Sequence, residues 1–596
     1  MEKELMLGNE AIARGAWEAG IEVAAAYPGT PSTEILEAFA RYPGVYAEWS
    51  VNEKVALDVA VGAAYSGRRA MAAMKHVGLN VAADSFFYAS MTGAEAALII
   101  ITADDPAMHS SQNEQDNRRY AKFARVPCLE PSDSQEAKEM MKAAVEISEA
   151  FDTPVLFRIT TRIAHSAGLV TLGERVTRPQ KLSEFPRNVP KYVMLPANAR
   201  LRHPVIEERI KRLEEFAETF PYNRMEMGDP SLGIVTCGVA YQYAREVFPE
   251  ASFLKLGMTY PLPKRMVKEF ASKVDRLIVI EELDPFLEEE IRLMGIPVEG
   301  KSIFPICGEF DPTVVREAAI KAGLLPLEAK VEIPKVEVGE LPPRPPILCP
   351  GCPHRGVFYV MNKLKLAVTG DIGCYTLGAL PPLSTIHTCG CMGAGVGQAH
   401  GADKSGLGER VVAVIGDSTF FHTGMPALLN VAYNNGKTIT VVLDNRSTAM
   451  TGHQGHPGTG QTLQGGKSSE VMIEDVARAF GIKNVYTVDS YDIKGVEKAL
   501  KEALAKDEAV VIVARRECAL LPEVRKNYKP LRVDPEKCNG CGLCFRAGCP
   551  ATLRSEEIDP KTKRPKMKID PLLCTGCEVC AQICPRGAIL FRAQLD

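Results

Sequence analysis

Residues 411–452, VVAVIGDSTFFHTGMPALLNVAYNNGKTITVVLDNRSTAMTG, read as strand, tight turn, helix, strand and loop. VVAVI and TITVVL are short β-branched runs of the kind found in buried parallel strands, and PALLNVAYNN between them has a helical apolar period. This is a βαβ unit of a doubly wound α/β sheet, where ligands sit at the carboxyl ends of strands. Both strands end in an acid or amide: Gly416-Asp417-Ser418 after the first, Asp444-Asn445 after the second. The Asp417 carboxylate, the Asn445 amide oxygen and the Ser447 carbonyl make a hard-oxygen set suited to Mg²⁺, which also takes diphosphate oxygens and water. An ordinary βαβ unit with polar strand ends shares the local pattern, and it is the spaced pair that favours a ligand site.

At 596 residues the chain holds about three to five domains. Its 46% hydrophobic and 24% charged residues are those of a soluble globular protein. A net charge of −4, and no basic patch interleaved with aromatics, speak against a nucleic-acid partner. MEKELMLGNEAIARG lacks an apolar signal core, and runs such as AALIII are too short to span a bilayer, so the expectation is a cytoplasmic protein without membrane attachment. Its 17 cysteines then read as metal ligands or thiols rather than disulfides.

Eight of them form two runs: Cys538-x₂-Cys541-x₂-Cys544-x₄-Cys549-Pro550 and Cys574-x₂-Cys577-x₂-Cys580-x₃-Cys584-Pro585. The second has the spacing of bacterial ferredoxins, and the first carries one extra residue before its last cysteine. Such a pair encloses two [4Fe–4S] clusters, each taking three cysteines from one run and the fourth from the other. The predicted sets are Cys538, Cys541, Cys544 with Cys584, and Cys574, Cys577, Cys580 with Cys549. Zinc is the alternative, and paired C-x₂-C-x₂-C…CP runs weigh against it.

Residues 1–185 read as another α/β domain. A strand at 21–27 leads into PGTPST and a helix through 41, with Thr30 or Ser32 as N-cap. A helix at 51–65 opens with Asn52 and Glu53. A strand at 70–74, a helix from 80, a strand at 96–102 before Asp104-Asp105-Pro106 and a strand at 151–161 follow. Residues 186–230 are a connector with an amphipathic helix at 204–220. Residues 231–330 are a further α/β domain with Cys237 and Cys307 in its core, and Pro-rich 331–346 is a linker. The domain at 347–525 contains the opening stretch, and 530–596 is the cysteine-rich tail. It begins with Cys349-Pro350-Gly351-Cys352-Pro353-His354, and carries Cys374 in GDIGC and Cys518 near its end. A C-x-x-C by itself is equally a zinc half-site or a redox pair. CGCMGAGVGQAHGA at 389–402 is a small-residue turn into a helix, suited to close approach of a pyrophosphate, with Cys389 and Cys391 lining it.

Asp417 with Asn445 resembles the thiamine diphosphate motif, with Ser418 for its usual last glycine. YPGTPSTEI, Glu53 within SVNEKVALDVAVGAA and the later motifs together resemble the thiamine-dependent 2-oxoacid:ferredoxin oxidoreductases, in particular the large (alpha) subunits of their indolepyruvate branch. The resemblance spans nearly the whole chain in the family's domain order. It implies a pyrimidine-binding and a diphosphate-binding thiamine domain, a transketolase C-terminal-like domain at 231–330 and a two-cluster ferredoxin domain. It gives Glu53 the contact to N1′ of the aminopyrimidine and Thr30 a substrate contact. Gly416, Asp417, Ser418, Asn445 and Ser447 would hold Mg²⁺ and diphosphate, and Cys391, Met392, Gly393 and His354 would line the cofactor. Cys349, Cys352, Cys374 and Cys518 would hold a third [4Fe–4S] cluster, although Pro353-His354 departs from the family's CPGCG. Family members acting on pyruvate carry an arginine after the strand that ends here in Thr102-Ala103-Asp104. None stands there, which leaves the substrate carboxylate without an assigned partner. Met450 replaces a polar asparagine, which suggests a larger, more apolar pocket.

The implied reaction is oxidative decarboxylation of an arylpyruvate such as indolepyruvate to an acyl-CoA and CO₂, with electrons passing to ferredoxin. Thiamine supplies the electron sink for decarboxylation and the clusters take up the electrons. Another 2-oxoacid, or non-oxidative decarboxylation to an aldehyde, are the alternatives. The resemblance also implies a smaller beta subunit carrying the family's gamma-type domain, coenzyme A as co-substrate, and a heterotetramer with two copies of this chain.

Overall fold

The computed structural model describes residues 2–177, 185–330, 339, 341–342 and 344–591. The expected linker at 331–346 lies mostly outside them. The chain forms two compact units, Met1–Glu337 and Val338–Asp596.

The first unit is built on a seven-stranded sheet in the order Met258–Tyr260, Cys128–Leu129, Val155–Thr160, Leu98–Asp104, Ala70–Lys75, Val23–Ala26, Tyr46–Trp49. All but the first strand are parallel. AMAAMK and LIIITAD are buried at every position, which is why they read as continuous apolar runs rather than as alternating ones. From Val23–Ala26 the chain moves one strand outward and then returns to build the rest of the sheet on the other side. The winding therefore reverses between Val23–Ala26 and Ala70–Lys75, and such a reversal opens a crevice at the carboxyl ends of the two strands.

Helix Glu53–Tyr65 starts as expected, because the Asn52 side chain accepts the Val55 N–H at 2.9 Å. Three local expectations are corrected. Neither Thr30 nor Ser32 caps the next helix through its hydroxyl: Ser32 occupies the N-cap of Thr33–Phe39, but its hydroxyl donates to the Gly29 carbonyl at 2.9 Å. The helix expected from 80 begins at His76, because Gly78 lets its first turn close against Glu53. The helix expected at 204–220 is Pro196–Ala217. Pro196 takes the first-turn position where a missing N–H costs nothing, and Pro204 is accommodated inside.

A second sheet in the same unit runs Leu277–Ile280, Asp229–Cys237, Ala251–Leu256, Arg224–Glu226, with only the last strand antiparallel. Cys237 is buried as expected; Cys307 is exposed, in a turn-rich segment outside the strands. The two sheets are joined by a buried ionic network. Arg118, fully buried, donates to Asp116 at 2.8 Å and to Glu281 at 2.6 Å. Arg158 donates to Asp104 at 2.7 Å and pairs with Glu130, which accepts the Thr259 hydroxyl at 2.7 Å. Charges this deep persist only when paired, and losing one partner strands the rest. Replacing Arg118 by methionine is expected to destabilise this unit by about 3–5 kcal/mol, read from the shift in its chemical-denaturation midpoint.

The second unit has a six-stranded parallel sheet in the order Thr388–Cys389, Ala367–Gly370, Val411–Gly416, Ile439–Asp444, Val510–Arg515, Asn484–Asp489. Gly416 is in register with Leu443, which brings Asp417 and Asp444 side by side at the carboxyl edge. The tail adds two small antiparallel ladders, Leu531–Val533 with Ile589–Phe591 and Thr552–Ile558 with Pro565–Ile569. Among the described residues no helix is long and apolar enough to cross a membrane.

Candidate active site

At the rim of the second unit Asp417 is buried and held from three sides. The Ser418 N–H donates to it at 2.7 Å, the Ser447 N–H at 3.3 Å, and His456 Nε2 lies 3.1 Å from Oδ2. Burial alone would raise its pKa, but His456 and the two amides outweigh that and keep the carboxyl below its ordinary range. The neighbouring Asp444 is raised, first by burial and then by the Asp417 charge, and Arg515 pairs with it at 2.6 Å. Asn445 and Ser447 are both buried in the loop after Asp444, and Thr448 Oγ1 donates to Ser418 Oγ at 2.9 Å. The structure thus brings Gly416, Asp417, Ser418, Asn445 and Ser447 together. An ionised carboxylate beside an amide oxygen and a carbonyl is a donor set that fits Mg²⁺.

The Gly-rich turn lies in the same unit. Gly393 has φ +81°, and a Cβ there would fall 2.4 Å from Thr423 Oγ1, which itself donates to the Met392 carbonyl at 2.6 Å. A Cβ on Gly395 would fall 3.1 Å from the Gly370 backbone. Close approach of backbone is what a diphosphate needs here. Cys389 and Cys391 are exposed. His354 is buried edge-on to Tyr375, with ring centroids 6.4 Å apart, and burial pushes it down to about 4 although Asp417 pulls the other way. Asp371, unremarked in the sequence, is pushed up to about 7 by burial and accepts hydrogen bonds from the Tyr375 hydroxyl and the Gly395 N–H.

In the first unit, buried Glu53 lies against Gly78, where a Cβ would come within 2.7 Å of Glu53 Cγ. Thr30 stands in the turn after Val23–Ala26. Met450 is half exposed.

Cys349, Cys352, Cys374 and Cys518 gather in the second unit. Cys374 is raised to about 11 by burial, then by Cys518 and Cys349. Cys352 is raised by burial, with Cys374 and Cys349 adding to it. The Asp417 charge reaches both Cys374 and Cys518, so this group adjoins the carboxylate edge. In the tail, Cys538, Cys541, Cys544 and Cys584 line one cavity, and Cys549, Cys574, Cys577 and Cys580 another. Leu531 N–H points at Cys574 Sγ, Met567 N–H at Cys538 Sγ and Ala588 N–H at Cys584 Sγ, each at 3.4 Å. Such bonds stabilise thiolates that ligate a cluster. Among the described residues no three His, Cys, Asp or Glu side chains are arranged around a single metal ion.

Arg355 joins the two cysteine regions. Its guanidinium donates to the carbonyls of Leu348 and Cys349 on one side, and of Ala547 and Gly548 on the other. Beside it, Gly351 has φ +65°, and a Cβ would fall 2.0 Å from Thr575 Oγ1. The tail therefore seats directly on the C-x-x-C turn.

Family models match in the same order along the chain. Residues 14–219 match the pyruvate flavodoxin/ferredoxin oxidoreductase thiamine diphosphate-binding family, 371–514 the C-terminal TPP-binding domain of thiamine pyrophosphate enzymes, and 522–588 the 4Fe-4S dicluster domain. Together with the fold, they define a thiamine diphosphate-dependent 2-oxoacid:ferredoxin oxidoreductase. Relatives named indolepyruvate oxidoreductase subunit IorA are 44% identical in Thermococcus kodakarensis and in Pyrococcus horikoshii, each over 98% of this chain and 96% of the relative. The Archaeoglobus fulgidus protein of that name is 42% identical over 99% of this chain and 97% of its own. The chain belongs to this indolepyruvate oxidoreductase IorA family.

Gly351→Ala is expected to push the tail off its seat at a cost of about 1–3 kcal/mol. Limited proteolysis should then release the tail faster than from the unsubstituted protein.

Proposed function

We propose that the chain catalyses the oxidative decarboxylation of an arylpyruvate, indolepyruvate in the first place: 2-oxoacid + coenzyme A + two oxidised ferredoxins → acyl-CoA + CO₂ + two reduced ferredoxins + H⁺. The observation that carries this is the adjacency, within one unit, of the Asp417 edge, the four-cysteine group and the seated tail. A decarboxylase releasing an aldehyde has no need of such a chain of sites. The names of the relatives and the half-exposed Met450 support an aryl substrate.

Thiamine diphosphate, when bound, supplies the electron sink that decarboxylation of a 2-oxoacid requires. Asp417, Asn445 and Ser447 hold its Mg²⁺, the Gly393–Gly395 turn receives the diphosphate, and neutral His354 and Met392 line the space beside it. Buried Glu53 holds and returns a proton at N1′ of the aminopyrimidine. Thr30 contacts the substrate. Cys349, Cys352, Cys374 and Cys518 hold a [4Fe–4S] cluster next to this edge, and the two crossed sets in the tail hold two more. The relatives are named as subunits, which supports a smaller beta subunit that completes the coenzyme A site, in a heterotetramer with two copies of this chain. The reading places the enzyme in the cytoplasm.

Anaerobically purified complex given indolepyruvate, coenzyme A and ferredoxin should form acyl-CoA and reduce ferredoxin. Aldehyde in place of acyl-CoA would refute the proposal. Glu53→Gln should lower kcat by about 10²–10⁴-fold in that assay. Cys374→Ser should remove roughly four irons per chain, as counted by metal analysis; unchanged iron would dismiss the third cluster.

A further inference from the structure

Resting on the reading above, we infer that Lys75 is the cation that receives the carboxylate of the 2-oxoacid, in the crevice between the carboxyl ends of Val23–Ala26 and Ala70–Lys75. Lys75 is the last residue of its strand, at the point where the winding of the sheet reverses. Its stem packs against the turn that carries Thr30: a Cβ built on Gly29 would fall 3.2 Å from Lys75 Cβ. Nζ donates to the Ser110 carbonyl at 2.6 Å, and Ser110 Oγ in turn donates to the Thr30 carbonyl at 3.3 Å. Lys75, Thr30 and Ser110 therefore form one wall. Glu53, the first residue of the separate helix Glu53–Tyr65, lies against Gly78, three residues on from Lys75.

Lys75 is only 9% exposed, yet it makes no ion pair with any described residue. The nearest acid, Asp105, already accepts from the Ser110 N–H at 2.8 Å, Ser111 Oγ at 2.5 Å and Thr161 Oγ1 at 2.7 Å. An ammonium has three donors, and only one is used in a short bond here. A buried cation without an anion is costly, and a substrate carboxylate removes that cost. The N-terminal turn of the 17-residue helix His76–Thr92 opens at the same place and adds its favourable dipole. His76, fully buried, is held down by burial and then by the Lys75 charge, with Asn113 opposing.

Two titratable groups face Lys75: Asp105, from the end of the adjacent strand, and His76. Burial lowers Lys75 to about 8, while Asp105 pulls it back up. The ammonium is thus present below about pH 8 and is lost above it.

The test compares Lys75→Gln and Lys75→Arg in the holoenzyme complex. Lys75→Gln should raise KM for indolepyruvate about ten- to hundredfold, with thiamine content and iron content unchanged. Calorimetry with 3-indolepropionate, which keeps the aryl group and carboxylate but lacks the 2-oxo group, should show a matching rise in Kd. In the unsubstituted enzyme kcat/KM should fall above about pH 8; Lys75→Arg should retain most affinity and abolish that fall. Unchanged KM and Kd in Lys75→Gln, or a loss of thiamine in their place, would overturn the inference. Should the glutamine variant fail to fold, a pH profile that Lys75→Arg leaves unaltered would overturn it equally. An unsubstituted complex that turns over no 2-oxoacid would refute the proposed function, whereas a Kd for 3-indolepropionate indifferent to Lys75 would refute only the role of this lysine.

Discussion

One buried guanidinium fastens the tail to the diphosphate-binding half of the chain. Arg355 spans the carbonyls of Leu348 and Cys349 and those of Ala547 and Gly548; the Cys349 carbonyl also accepts the Cys352 N–H, but the other three depend on the guanidinium. Burial lowers its pKa, and the charges of Cys549, Cys352, Cys577 and Cys349 oppose that. The attraction is mutual. Cysteine groups that would repel one another across this seam share a cation, and a positive charge beside an iron–sulfur centre favours its reduced state. Arg355 therefore positions the tail and offsets the charge of the cysteines around it through the same contacts.

Both units place their chemistry alike, although their sequences show little in common. A parallel strand buried on both faces is mostly apolar until it ends, so ligand-binding acids, amides and amines collect at the carboxyl rim. In one unit that rim carries Asp417 and Asn445, and in the other Lys75 and, in the first turn of the helix that follows it, Gly78, against which Glu53 packs from the start of its own helix. The buried network of Arg118 and Arg158 lies elsewhere, between the two sheets of the first unit. Each of its arginines is paired with carboxylates, which marks it as scaffold; Lys75 differs in having no ion-pair partner among the described residues.

How much of this was legible in the sequence varied with how local the signal was. Cysteine spacing announced the tail, and the crossed grouping of its eight cysteines around two cavities needed no long-range information beyond the family pattern. The pairing of Asp417 with Asn445 was readable because the two strands are joined by one helix. His456 was not, since its contact with Asp417 depends on a loop that returns over the rim 39 residues later. Asp371 was hidden in a glycine-rich segment that drew attention to Cys374. Lys75 was passed over because the helix was expected to begin at 80, which left KHVG as a loop; once the helix starts at His76, the lysine becomes a strand end facing a crevice. Pro204 misled in the opposite sense, by resembling a start where the helix was already under way.

The extra residue in the first cysteine run lies in the Phe545–Gly548 stretch, whose last member adopts φ +66° and turns its carbonyl toward Arg355. Far along the chain, Gln582 clasps the same sheet domain by accepting the Ile493 N–H at 3.1 Å and donating to the Tyr491 carbonyl at 2.8 Å, so the tail is pinned at two separate points and cannot pivot about either one.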